Sequence, residues 1–158
     1  MNYIALSEYK KGWIFRHQEL LISDEDLLKI KPMTPDRSDE VWCNLVSTQS
    51  TQPDHFGAGD WAANKKTWQH QERWQEAWDA DSNALPEVIA DNIDWDDNTV
   101  VYFCYDSEQV IETTWEVFCR NWKNFLFYDD GPLLLGRKRR QVAQFLQTGN
   151  VKVGERKV

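Results

Sequence analysis

Few side chains in this protein have the types and spacing that catalysis or metal binding requires. The three histidines, His17, His55 and His70, lie more than four residues from one another and from every cysteine, so no zinc-ligand spacing exists. His55, between Asp54 and Phe56, is the one candidate for acid–base chemistry, although a solvent-exposed loop histidine is the simpler interpretation. We therefore expect no metal and no cofactor, and the sequence indicates no catalytic residue.

Two segments resemble ligand-binding motifs but lack an essential part. Residues 57–62 read Gly-Ala-Gly-Asp-Trp-Ala, which matches the Gly-x-Gly-x-x-Ala pattern of dinucleotide-binding loops. That pattern must follow a strand, whereas residues 47–56 are polar, and Asp60 would set a carboxylate against the pyrophosphate. Residues 92–98 alternate Asn and Asp as calcium loops do, but they lack the glycine and glutamate that such loops need. Neither segment predicts a site.

The charge of the chain is distributed unevenly. The formal net charge is −8, yet residues 136–158 hold seven basic residues and one acidic residue, which leaves −14 on the residues before them. Residues 72–116 contain thirteen acidic residues and a single basic one, Arg73. Such a stretch repels nucleic acid, anionic lipid and phosphorylated ligands at long range and attracts basic proteins. It is either a solvated face that confers solubility or a docking surface for a cationic protein.

Two short charged clusters are the candidates for a binding surface. Trp95 is flanked by acidic residues, and we expect it to be the most exposed of the nine tryptophans, most of which sit where helical spacing needs core residues. Residues 137–140 form the basic cluster, whose partner is either the chain's own acidic surface or a phosphate or acidic protein. The candidate binding residues are Asp94, Trp95, Asp96, Asp97, Arg137, Lys138, Arg139 and Arg140.

The cysteines and the hydropathy of the chain indicate a compartment. Three cysteines cannot all pair with one another, and none lies in a Cys-x-x-Cys pair, so we expect free thiols, as in a reducing compartment. The first residues do not read as a secretory signal. The longest apolar run, residues 100–105, is far shorter than the roughly 20 residues that span a bilayer. We therefore expect a cytoplasmic protein without a membrane segment.

Helices dominate the structure expected for the first part of the chain. Ser23 and Thr34 are typical N-caps, and the helix after Thr34 extends to about residue 47. Asp60 predicts the start of a helix over residues 61–79, although its tryptophans fall on two separate faces. Such a helix either buries both faces or bends near His70. The other elements expected here are a long loop at residues 47–59 and a short helix at residues 85–89.

Extended structure is expected from residue 99 onward. Residues 99–105 are β-branched and aromatic, which predicts a strand, and residues 109–113 pair with it as a hairpin. Thr113 and Glu116 fit a capping box for a helix whose apolar residues recur at helical spacing as far as Phe125. The remaining expectations are a second hairpin of residues 126–128 and 133–135, a helix over residues 137–147 whose first turn holds the basic cluster, and an edge strand at residues 151–153.

The elements together indicate a fold class. Short hairpin strands interleaved with helices predict an α+β fold, in which a small antiparallel sheet built from hairpins packs with about five or six short to medium helices. The length of 158 residues and the ordinary share of hydrophobic residues, 41%, predict one globular domain over residues 1–158.

Three segments together resemble a known family. Residues 9–15 (Tyr-Lys-Lys-Gly-Trp-Ile-Phe), the tryptophan-bounded residues 115–122, and residues 123–132 (Lys-Asn-Phe-Leu-Phe-Tyr-Asp-Asp-Gly-Pro) look like a family of small gammaproteobacterial proteins labelled as a domain of unknown function. The resemblance covers nearly the whole chain. It implies a bacterial cytosolic protein and supplies no activity, ligand or catalytic residue.

Two functions from different classes fit these patterns. The first is a non-enzymatic adaptor or immunity-type inhibitor that docks a basic partner through part of residues 72–116, as an inhibitor of a nuclease presents carboxylates where the enzyme expects phosphates. Nucleic acid is not an expected partner. The second is a small-ligand-binding protein or enzyme whose tryptophan-lined pocket lies near His55 and Asp60. A flat acidic face favours the first, and a deep pocket favours the second.

Overall fold

A computed structural model describes residues 2–157, in which a seven-stranded antiparallel sheet packs with five α-helices and three short 3-10 helices. The strand order is β1-β4-β3-β5-β6-β7-β2, so β1 and β2 are the edges. This architecture confirms the α+β prediction. The strands are β1 Lys31–Pro32, β2 Trp68–Arg73, β3 Val100–Asp106, β4 Gln109–Thr114, β5 Leu133–Gly136, β6 Gln141–Phe145 and β7 Asn150–Glu155. The helices are α1 Asp24–Leu27, α2 Pro35–Leu45, α3 Gln75–Asp79, α4 Glu87–Asn92 and α5 Trp115–Phe125, with 3-10 turns at Leu6–Glu8, Gly12–Phe15 and Trp61–Ala63.

Both faces of the sheet are covered. The first face contacts α3, α4, α5 and the 3-10 helix Gly12–Phe15, and its core includes Phe103 and Phe118. The second face is covered by α2 and by the loop that follows it, and its core includes Trp42 and Tyr102. Side chains of β3 alternate between these two cores because successive residues of a strand point to opposite faces. The central strands are therefore apolar on both sides.

Several elements lie where their local signals predict them. The β3–β4 hairpin pairs Val101 with Thr113, and α5 begins and ends close to its apolar repeat. Ser23 Oγ accepts a hydrogen bond from the backbone N–H of Asp26 at 3.1 Å, which is the expected N-cap of α1. Thr34 caps α2 in the same way, with Pro35 at the first helical position. Local capping chemistry was sufficient to locate these starts.

The capping box predicted for α5 is displaced by one residue. Thr114 is the N-cap, and its Oγ1 accepts from the backbone N–H of Val117 at 3.4 Å. Thr113 instead belongs to β4, where its side chain is buried and pairs across the ladder with Val101. The sheet therefore extends one residue further than the capping pattern suggested.

The long helix predicted over residues 61–79 is wrong. The segment divides into the 3-10 helix Trp61–Ala63, strand β2 and helix α3. Strand β2 pairs with β7 and forms one edge of the sheet. Consequently Trp61 and Trp68 pack together on the second face, with ring centroids 6.1 Å apart, while Trp74 and Trp78 join the first core. The two pairs of tryptophans, which would lie on different faces of a single helix, therefore pack on opposite faces of the sheet.

The helix predicted over residues 137–147 is also wrong. Its apolar residues form β6, which pairs with both β5 and β7, and the basic cluster is the turn of the β5–β6 hairpin. Residues 126–128 are not a strand, so the second hairpin predicted there does not form. The strand expected at residues 151–153 exists as β7, but it lies inside the sheet because β2 covers its outer side. Within residues 2–157, no helix has the length and apolar character needed to cross a membrane.

Candidate functional site

The two charged clusters identified from the sequence meet at one end of the sheet. The acidic turn, residues 94–97, precedes β3, and the basic turn, residues 137–140, follows β5, which pairs with β3. The backbone N–H of Arg137 donates to the Val100 carbonyl at 2.8 Å. Arg139 Nη2 donates to Thr99 Oγ1 at 3.3 Å. Antiparallel pairing thus places two segments that are 40 residues apart in the chain side by side.

Trp95 is buried, so the prediction that it is the most exposed tryptophan is wrong. Its exposed fraction is 6%, whereas Trp13 is the large exposed one at 44%. The Trp95 indole N–H donates to Gln141 Oε1 at 3.0 Å, and its ring lies edge-on to Trp115 at 5.0 Å between centroids. Gly136 makes room for the ring, since a Cβ there would lie 3.0 Å from it. The buried Trp95 side chain therefore anchors the acidic turn to the core.

The basic turn does not start a helix, and its cations have no ionic partner in the part of the chain that the structure describes. Lys138 has a φ of 58°, in the left-handed region that lysine rarely adopts. Arg137 Nε donates to the Tyr102 hydroxyl at 3.1 Å, and this bond is the main cause that raises the pKa of Arg137. Among residues 2–157, none of Arg137, Lys138, Arg139 and Arg140 forms an ion pair. The proposed pairing of this cluster with the chain's own acids is not seen as direct contacts.

The acidic stretch divides into separate regions, of which one is a run of nine acids that follow one another along the chain. Asp106 and Glu108 lie at the tip of the β3–β4 hairpin, Glu112 accepts from the Tyr3 hydroxyl, and Glu116 pairs with Arg120. The remaining nine acids follow the chain from β2 through α3 and α4 to the acidic turn, and we call them the acidic face. They are Glu72, Glu76, Asp79, Asp81, Glu87, Asp91, Asp94, Asp96 and Asp97.

All nine side chains of the acidic face are exposed, and eight of them have no ionic partner among residues 2–157. Only Glu76 has an ionic partner in residues 2–157, Arg73 at 3.6 Å. The backbone under the acidic turn is fixed, because the Asp96 and Asp97 carbonyls accept from the N–H groups of Thr99 and Glu116 at 2.9 and 3.0 Å. The face is therefore a set of solvated negative charges on a rigid support.

His55 and Asp60, the residues of the alternative pocket, do not come together as a chemical pair. The His55 side chain is 74% exposed, and its Nδ1 lies 2.9 Å from Asp54 Oδ1. Asp60 is buried, and its carboxylate accepts from Ser47 Oγ at 2.6 Å and from the Gly57 N–H at 3.0 Å. Asp60 thus holds the loop closed. It starts a 3-10 turn without capping it through its side chain.

Two of the surface clefts bear on the alternative of a small-ligand site. One, of about 580 Å³, is lined in part by Lys11, Tyr105 and Tyr128 near the tip of the β3–β4 hairpin. Its cation is already engaged, since Lys11 Nζ lies 4.4 Å from the centroid of the Tyr128 ring and donates to Gln109 Oε1. The other, of about 740 Å³, lies between residues 57–67 and the end of β7. Neither cleft is lined by His55.

The thiols offer no nucleophile. All three cysteines are free; burial is the largest cause that raises the pKa of each, to about 12 for Cys119, with Asp97 adding to it. A thiol with a raised pKa stays protonated at neutral pH and reacts slowly. Among residues 2–157, no group of three or more His, Cys, Asp and Glu side chains is arranged to hold a metal ion.

Comparison with protein families places this arrangement in a known group. The family described as "Protein of unknown function (DUF2947)" matches residues 3–154. The chain belongs to this family. The match confirms the resemblance seen in residues 9–15 and 115–132, and it spans every strand except the last residue of β7. Comparison with curated proteins found no match, and comparison with solved structures found none.

Sequence reasoning missed that one charged residue of this protein, Arg156, is buried. Arg156, just after β7, is 93% buried, since its exposed fraction is 7%. It was counted only as part of a basic C-terminal segment. A signal was present in the alternation of the last strand, because Lys152, Gly154 and Arg156 share one side of it and Val151 and Val153 share the other. Finding the burial required knowing which loop covers that side.

Proposed function

We propose that this protein is a non-enzymatic binding protein, an adaptor or immunity-type inhibitor, that docks a basic protein through the acidic face. The observation that supports this most is that nine exposed carboxylates lie on successive elements while only Glu76 has an ionic partner in the described chain. Like charges held near one another repel, and a partner of opposite sign removes that repulsion. Opposite potentials also accelerate the encounter of two proteins.

The rigid support of the acidic turn favours specific docking over general attraction. Trp95 is packed against Trp115 and hydrogen-bonded to Gln141, so the aspartates on either side of it have a fixed backbone. Preorganised charges lose little freedom on binding, which increases the affinity that each contact contributes. Asp94, Asp96 and Asp97 are therefore the part of the face that we expect to meet the partner first.

The sign of the face favours a protein partner over nucleic acid, because carboxylates repel phosphates. An immunity-type inhibitor would use the same chemistry by presenting carboxylates to the cationic site of a nuclease. We place this role in the cytoplasm, in support of which all three cysteines are free thiols.

The test is affinity purification from the native host with the whole chain as bait, at low and at high ionic strength. The test variant changes Asp94, Asp96 and Asp97 to Asn. Its matched control removes the same charge from α2 on the other face of the sheet. That control carries Asp36→Asn, Asp39→Asn and Glu40→Gln, three positions that are also exposed.

We expect a basic partner whose recovery falls at high salt and in the test variant but not in the control. With the purified partner, the association rate should fall about tenfold in the test variant, while the dissociation rate changes less, because peripheral charges steer encounter. The free energy of unfolding should stay within about 0.5 kcal/mol of the wild-type value. A partner that is not basic, or equal losses in both variants, would refute docking through the acidic face.

A further inference from the structure

Arg156 is a buried cation whose side chain has no partner among residues 2–157. Its Nε atom is fully buried and unbonded, and its side chain makes no hydrogen bond or ion pair with any residue from 2 to 157. Burial is the main cause that lowers the pKa of Arg156. Arginine is rarely buried to this extent unless a carboxylate, phosphate or other acceptor satisfies it, because removing a charge from water costs several kcal/mol.

The fold itself holds Arg156 in this position. The backbone N–H of Arg156 donates to the Arg140 carbonyl at 2.8 Å, and that of Glu155 donates to the Thr67 carbonyl at 3.0 Å. Thr67 lies so close to the strand that any side chain at Gly154 would overlap its carbonyl. The segment before β2 therefore lies directly over the end of β7. Arg156 is buried because this backbone contact fixes the cover, rather than because its side chain is satisfied.

The larger cleft is where this side chain reaches the surface. Residues 57–59, Lys66, Arg156 and Lys157 line it, and its volume is about 740 Å³. A neighbouring cleft of about 440 Å³ shares Arg156 and Lys157 and adds Arg140. None of these four cations has an ionic partner among residues 2–157. Three cations thus line each of these two clefts in a protein of net charge −8.

The two carboxylates near the cleft do not cancel these charges. Asp60 is occupied, because it accepts from Ser47 Oγ at 2.6 Å and from the Gly57 N–H at 3.0 Å. Glu155 is exposed and lines both clefts, so it offsets one of the positive charges in each. The lining therefore holds three cations, Lys66, Arg156 and Lys157, against two carboxylates, and this excess of positive charge favours an anion.

We propose that this cleft binds a small phosphorylated molecule, with Arg156 as the buried anchor and Lys66 and Lys157 as cations at the rim. The planar guanidinium matches the geometry of a phosphate and forms strong charge-assisted hydrogen bonds to it. Clefts of this volume are typical of small-molecule sites. Trp61 forms part of the wall, so the uncharged part of the ligand has an aromatic surface to contact. This site is independent of the acidic face.

The test uses inorganic pyrophosphate as the probe, titrated into the whole protein by calorimetry at constant ionic strength. We expect saturable binding with one site per chain. Arg156→Met should raise the Kd at least about tenfold, because it removes the anchor and both of its charge-assisted bonds. The Kd of Arg156→Lys should lie between those of the wild type and Arg156→Met, since lysine keeps the charge but lacks the planar guanidinium. Lys66→Gln should raise the Kd several-fold.

Lys65→Gln is the matched control, because Lys65 is also exposed and adjacent in sequence but does not line the cleft. We expect its Kd to stay within about twofold of the wild-type value. If Arg156→Met does not fold, the comparison of Lys66→Gln with Lys65→Gln decides the matter alone. Absence of saturable binding, or equal weakening by the two lysine changes, would overturn the proposal. Tighter binding of a single-stranded oligonucleotide than of pyrophosphate would also overturn it in favour of nucleic acid.

Discussion

Two buried charged residues, Asp26 and Arg156, differ in whether the described chain supplies hydrogen-bond partners for their side chains. Asp26 is 4% exposed, and its carboxylate accepts from Arg120 Nε at 3.0 Å, Arg120 Nη2 at 2.7 Å and Asn121 Nδ2 at 2.9 Å. Arg156 is 7% exposed and has no such partner in the described chain. Equal burial thus goes with complete satisfaction at one site and with none at the other.

The difference separates a structural charge from one that is available to a ligand. Asp26 ties α1 to α5, and the same network distorts α5, since Asn121 has a non-helical φ of −126° while its side chain also donates to the Val117 carbonyl. A charge satisfied in this way stabilises the chain by itself. An unsatisfied buried charge does the reverse, so it persists where binding gives it a role.

Removing the satisfied charge should have the largest effect on stability. Asp26→Ala leaves Asn121 and part of Arg120 without their acceptor, and we expect a loss of about 2–3 kcal/mol in the free energy of unfolding. The loss is moderated because the Arg120 side chain is 48% exposed and can be hydrated. Urea unfolding gives the value. Asp24→Ala on the same helix is the control and should cost less than about 0.5 kcal/mol; equal costs would contradict the assigned role of Asp26.

The pH dependence of stability should report the same network with a smaller effect. Hydrogen bonds from Arg120 are the largest cause that lowers the pKa of Asp26, with Asn121 acting in the same direction and burial opposing both. A carboxyl whose pKa is lower in the folded state stabilises the protein above its unfolded pKa of about 3.9, and this contribution disappears as the pH falls through the folded pKa. Urea unfolding between about pH 5 and about pH 3 should therefore show a steeper loss in the wild type than in Asp26→Asn. Parallel profiles would show that Asp26 is not coupled to Arg120.

The unsatisfied charge should give the smallest change, with the opposite sign. Arg156→Met replaces an unpaired buried cation by an apolar chain of similar length, and we expect the free energy of unfolding without added anion to rise by about 1 kcal/mol. Pyrophosphate should stabilise the wild type more than the variant at the same concentration, because the variant binds it more weakly. A loss of stability on substitution would mean that Arg156 is satisfied within the chain, and the contrast with Asp26 would then disappear.

The elements that sequence reasoning located correctly depend on interactions between near neighbours. Ser23 and Thr34 cap the helices that directly follow them, and the apolar residues of α5 repeat at helical spacing within the helix itself. The β3–β4 hairpin is similar, since only residues 107–108 separate its strands. Each of these signals is complete within a short window of sequence.

The elements that sequence reasoning missed depend on contacts with segments that are distant in the sequence. Strand β6 is buried on both faces, so it shows no alternation of apolar and polar residues, and its apolar residues also fit a helix. Strand β2 is recognisable only through its pairing with β7. Trp95 was expected to be exposed because it lies between two aspartates. It is buried because its ring packs against Gly136 and Trp115, which follow it by 41 and 20 positions. The pattern of a segment could not show these contacts.

The sequence by itself determined the α+β class, the caps of α1 and α2, the β3–β4 hairpin and the strong negative charge, because composition and short-range hydrogen bonding suffice for each of them. Only the tertiary structure decided that the acidic and basic turns are neighbours and that Arg156 is buried with no partner for its side chain among residues 2–157. Both outcomes follow from strand pairing between distant segments. Burial of a charge is a property of the surrounding fold, and its energy depends on groups that the local sequence does not specify.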